Sequence, residues 1–141
     1  MNVNTLLAAP SPLAASALVA LGGAAGSVLR YQLGRLAAHL AGPANTFPWG
    51  TLGINILGSL AMGGLLGWLA RGTAPANAES IRLLVGVGLL GGFTTFSAFS
   101  AELVTMLHRG QAGFALGYAA ASLIAGMAAV VIGLVAAQSA A

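Results

Sequence analysis

Residues Gly91 to Ser100 read GGFTTFSAFS, inside an apolar run with no charged residue between Leu83 and Ala101. Adjacent glycines followed by adjacent β-branched threonines are poor helix formers. Thr94 lies about midway between Ile81 and Leu107, so the weak point falls near the centre of the segment. A helix that unwinds there frees backbone carbonyls. In lipid, such carbonyls are tolerated only where protein, ions or water replace their lost partners. Phe96 and Phe99 are three apart and share a face, with Ser97 and Ser100 as a parallel pair beside them. An aromatic ring has a positive edge, so a ring held edge-on can stabilise a small anion without a full charge.

The chain around this stretch asks for lipid as its solvent. Of 141 residues, 58% are hydrophobic and 5% are charged, too few charges to solvate a globular surface. There is no lysine, and the charged set is Arg30, Arg35, Arg71, Arg82, Arg109, Glu79 and Glu102. Scattered arginines form no basic patch, so the net positive charge is not a nucleic-acid signal. With no cysteine, disulfides and thiolate metal sites are excluded. Met1 to Gly22 carries no lysine or arginine, which a signal peptide needs at its start, so the segment reads as a short tail leading into a retained helix.

Four apolar blocks, separated by Pro/Gly-rich or polar breaks, predict helices over about 13–35, 49–69, 81–107 and 113–137. Each reaches the roughly 20 residues that a membrane crossing requires. Trp49 and Trp68 bracket the second block, roughly 28 Å apart along a helix, as an aromatic belt would place them. Pro48 suits a helix start and Ser80 an N-cap. The expected fold is an all-α membrane protein, one four-helix domain over residues 1–141, with the third helix broken near mid-membrane.

Charge gives almost no orientation bias. Arg71 and Arg82, against Glu79, fall on one side, and Arg30, Arg35 and Arg109 on the other. A chain that inserts both ways can form an antiparallel homodimer about an in-plane two-fold axis; a single orientation is the other outcome. Glycine pairs four apart (22/26, 63/67, 88/92, 113/117) fit the small-xxx-small spacing that lets helices approach closely.

Polar residues inside the apolar blocks are few. Thr51, Asn55 and Ser59 share one face of helix two, and Tyr118 and Ser122 lie one turn apart in helix four. An asparagine in lipid is either interhelical glue or functional. Amide and hydroxyl donors, ring edges and no central carboxylate suit an anion better than a cation or a proton-coupled substrate. Arg30 and Glu102 fall toward the same face, where they either pair, line a vestibule or snorkel to the interface.

Three motifs then resemble one family in its own order: GGAAGSVLRY (Gly22 to Tyr31), FPWGTLGINILGSLAMG (Phe47 to Gly63) and GGFTTFSAFSAE (Gly91 to Glu102). They are similar to the signatures of the Fluc (CrcB) fluoride channels. The resemblance implies a dual-topology antiparallel homodimer with two fluoride pores and a central sodium ion, in a bacterial-type inner membrane. It implies backbone carbonyls of Gly91 and Thr94 as sodium ligands. Phe96 and Phe99 would be pore rings, Asn55 the pore amide, and Thr95 and Ser97 neighbouring hydroxyls. Tyr118 and Ser122 would form the helix-four polar track, and Arg30 the arginine of helix one. Gly126, one turn beyond Ser122, offers no hydroxyl. The expected activity is passive export of toxic fluoride, with no enzymatic chemistry. The alternative, a small multidrug-type proton-coupled exporter, needs a membrane-embedded acid in helix one, and this chain has none.

Overall fold

The computed structural model describes residues 9–71 and 75–140. The N-terminal tail, and Gly72 to Ala74 of the second break, lie outside the described residues.

The described chain is all helical. Helix α1 spans Pro12–Ala41 and α2 spans Trp49–Leu69. The third apolar block begins with α3, made of an α-helical turn Ala78–Ile81, a π-helical stretch Arg82–Leu90 and a last α-turn Gly91–Phe93. It continues as α4, Phe96–His108, and α5 spans Ala112–Ser139. Four apolar stretches, counting Ala78–His108 as one, are long and apolar enough to cross a membrane.

Helix ends differ from the sequence reading where local chemistry was misjudged. Helix α1 runs six residues beyond Arg35. Leu36 to Ala41 are ordinary helix residues, and the first real stop is Gly42, whose φ of 79° is left-handed space that glycine enters freely. Its start is capped by Ser11, whose Oγ accepts from the Ala14 N–H at 3.3 Å. Ser80 is not an N-cap. The helix starts three residues earlier, after Asn77, and Ser80 lies inside its first turn. Glu79 near that start complements the helix dipole and takes two bonds from Arg82, both at 2.8 Å.

Packing pairs α2 with α5 and α1 with α3. In lipid there is no hydrophobic drive between helices, so close backbone approach carries the association. A methyl group on Gly63 would run into the Val130 carbonyl of α5, and one on Gly88 would lie 2.8 Å from the Val19 carbonyl of α1. Gly113 and Gly117 meet nothing within 4 Å, so that pair does no packing within one chain. Large apolar side chains such as Leu21, Leu116, Ile124 and Ile132 remain exposed, the outer face that lipid would cover.

Candidate functional site

Between α3 and α4 the chain is extended at two residues, Thr94 (φ −78°, ψ 161°) and Thr95 (φ −150°, ψ 121°). Two side chains take over the bonds that a continuous helix would make. The Thr95 N–H, which would serve the Gly91 carbonyl, donates to Asn55 Oδ1 at 2.9 Å. The Ala98 N–H, which would serve the Thr94 carbonyl, donates to Thr95 Oγ1 at 3.2 Å. Asn55 Nδ2 also donates to the Thr95 carbonyl at 3.1 Å. Asn55 thus bridges α2 to both backbone polar groups of one residue forty positions away. Gly58, one turn beyond Asn55, leaves room for the Thr94 methyl and the Phe93 ring.

The Gly91 and Thr94 carbonyls have therefore lost their helical donors. The Thr94 carbonyl receives one replacement, Arg30 Nη1 of α1 at 3.3 Å. That is a long contact, and a carbonyl has a second lone pair. Two neutral oxygens released from a helix are the donor type that holds an alkali cation, so these residues fit the sodium seat that the family resemblance implies.

Two cavities meet at Thr95. One, about 680 Å³, is lined by Arg30, Asn45, Thr51, Ser97 and Glu102 among others. The second, about 320 Å³, has Asn55, Ser59, Phe96, Phe99 and Ser122 on its wall and no ionisable side chain. Ser122 Oγ is buried, with no hydrogen-bond partner among the described residues. Thr95 lines both cavities, and its Oγ1 lies 3.3 Å from Ser97 Oγ. The Phe96 and Phe99 ring centres are 5.9 Å apart. Phe96 is 79% exposed, so its ring has no facing wall within one chain.

Tyr118 lies apart from the second cavity. It is fully buried, its ring meeting Phe47 at 5.4 Å and Phe99 at 5.1 Å in edge-on contacts. Its hydroxyl donates to Glu102 Oε2 at 2.7 Å, and the Thr51 hydroxyl donates to Glu102 Oε1. A buried tyrosine needs a partner for its O–H, and here the carboxylate supplies it. The donor expected of Tyr118 along a helix-four polar track is thus committed to Glu102.

Arg30 and Glu102 line the same cavity but do not pair: Arg30 turns to Thr94 and Glu102 to two hydroxyls. Among the described residues, the one ion pair is Arg82–Glu79.

A family model described as "CrcB-like protein, Camphor Resistance (CrcB)" matches residues 17–134. The chain belongs to the CrcB family. Among its relatives is a protein from Novosphingobium aromaticivorans named "Fluoride-specific ion channel FluC", 54% identical over 122 residues, covering 86% of this chain and 94% of the relative. One of the same name from Erythrobacter litoralis is 53% identical over 125 residues, covering 87% and 91%. Another, from Caulobacter vibrioides, is 46% identical over 122 residues, covering 86% and 93%.

In this CrcB-family chain, the sequence reading missed how Thr51 and Phe47 are used. Thr51 shares a helix face with Asn55 at four-residue spacing, which signalled a polar stripe but not its carboxylate partner. Phe47 precedes α2 and gave no signal of packing on Tyr118.

Proposed function

We propose that the chain is a fluoride-selective passive channel whose conducting form is an antiparallel pair of copies in a bacterial inner membrane, exporting fluoride down its gradient. The observation that carries this reading is the second cavity. It combines an amide, an unpartnered buried Ser122 hydroxyl and two phenyl rings, with no ionisable side chain on its wall. Fluoride is small and strongly hydrated, so passage requires replacing its water by donors at close range. Several weak neutral donors permit exit as well as entry, where a fixed cation in the narrow part would trap the ion. The names of the relatives support the same ion.

In this reading the interruption at Thr94 and Thr95 lies at mid-membrane. Asn55 holds the break open, and Phe96 and Phe99 present ring edges to the passing ion. Phe96 is largely bare in one chain, which supports a second copy supplying the opposite wall. The Gly91 and Thr94 carbonyls would hold sodium, with those of the second copy, at the two-fold axis. When bound, that ion would supply positive potential and tie the copies together. Arg30 and Glu102 would border an aqueous vestibule leading to Thr95. The test is fluoride efflux from liposomes carrying the purified protein, with chloride as control. Rapid fluoride flux with little chloride flux is expected; equal or absent flux for both would remove the assignment. A proton-coupled exporter finds no support, since no carboxylate lines the second cavity.

A further inference from the structure

We propose that Arg30 opposes the sodium ion at the helix break, so that its guanidinium sets the metal affinity of the Thr94 carbonyl. The inference rests on the sodium reading above and adds to it a residue with a defined, signed effect.

The Thr94 carbonyl has lost the Ala98 N–H and takes Arg30 Nη1 at 3.3 Å instead. Arg30 is half-buried on α1 and forms no direct ion pair, since Glu102, on the same cavity wall, turns both its oxygens to Thr51 and Tyr118. A carbonyl oxygen has two lone pairs, so the guanidinium and a metal can share it. Sharing brings two positive charges onto one atom with no carboxylate in direct contact with either. Two consequences compete. By hydrogen bonding, Arg30 fixes the direction of the carbonyl, which favours the metal by up to roughly tenfold. By charge, it repels the metal. At an effective dielectric of about 20, that repulsion amounts to roughly one hundredfold or more in affinity for charges this close. Repulsion wins, and removing the charge tightens sodium by about tenfold.

The experiment measures the half-saturating sodium concentration for the rise in thermal stability of the purified protein in detergent, independently of flux. Arg30→Gln removes the charge and, with its shorter side chain, the hydrogen bond to the carbonyl as well, so its half-saturation falls about tenfold. Arg30→Lys retains the charge and stays close to wild type. If Arg30→Gln does not fold, Arg30→Met, which keeps an unbranched stem, carries the same expectation. A neutral variant with unchanged or weaker sodium affinity overturns the role of Arg30 while leaving the sodium seat intact. Absence of any sodium response in the wild-type protein overturns the seat itself, and with it this inference.

Discussion

The Asn55 side chain satisfies both backbone polar groups of Thr95, accepting from its N–H at 2.9 Å and donating to its carbonyl at 3.1 Å. Each group, if orphaned away from water, carries a penalty of about 1–3 kcal/mol. Asn55→Leu leaves both unmade, so the break should lose its geometry. Fluoride flux is expected to fall at least about tenfold, and thermal stability in detergent to drop. Asn55→Asp keeps the acceptor, removes the donor and adds charge, so it should not restore flux. Wild-type flux in Asn55→Leu would show that the bridge does not organise the path.

Phe96→Ile keeps apolar bulk and removes the positive ring edge. Fluoride efflux should fall about tenfold or more, with cross-linking between the two copies of the proposed pair unchanged. Undiminished flux in that variant would mean that the exposed ring is only a packing group.

Glu102 accepts from Thr51 and Tyr118 together, so the two donors form one network. Hydrogen bonds to charged groups contribute about 1.5–3 kcal/mol each. Thr51→Val and Tyr118→Phe should each destabilise by an amount in that range, measured by unfolding in detergent. The double variant should depart from additivity by about 0.5 kcal/mol or more. Strict additivity would mean that the two hydroxyls act independently.

Exchanging the charges of Arg30 and Glu102 tests the absence of a pair. Arg30→Glu should lose the contact with Thr94, and Glu102→Arg should collide electrostatically with nothing that rescues it. The double variant is expected to be no better in flux than the worse single one. Recovery toward wild type would place the two side chains in contact.

Glycine spacing alone does not say which positions are packed, and two substitutions separate the cases. Gly63→Ala drives a methyl into the Val130 carbonyl and should destabilise by about 1–3 kcal/mol. Gly113→Ala meets nothing within 4 Å and should be neutral or slightly stabilising in a helix. Equal loss of thermal stability in both would point to Gly113 being covered by another copy.

The membrane-length apolar blocks were legible because long uncharged runs leave few alternatives. Their ends were less so: Gly42 rather than Arg35 stops α1, a choice made by backbone conformation that composition only hints at. Asn55 stood out as an amide in an apolar helix, but its partner was invisible, since Thr95 is forty residues distant and contributes main chain. Tyr118 read as a donor along a path, yet a carboxylate one helix away claims its hydroxyl. Arg30 and Glu102 line one cavity, while which oxygen the guanidinium meets depends on three-dimensional register. The π-helical winding of Arg82–Leu90 had no marker in the sequence, because nothing in RLLVGVGLL separates i+5 from i+4 bonding.

That winding has an evolutionary corollary. A π segment behaves as an α-helix carrying surplus backbone, and losing one amino acid there would let it relax to ordinary pitch. Positions downstream would then keep their phase, because what is lost is the surplus residue and not the register. A residue lost from ordinary helix would instead swing everything beyond it by roughly 100° about the axis, turning Thr94 away from the Arg30 guanidinium and Thr95 from the Asn55 amide. A one-residue deletion should therefore be better tolerated between Arg82 and Leu90 than in the α-turn Gly91–Phe93 that follows.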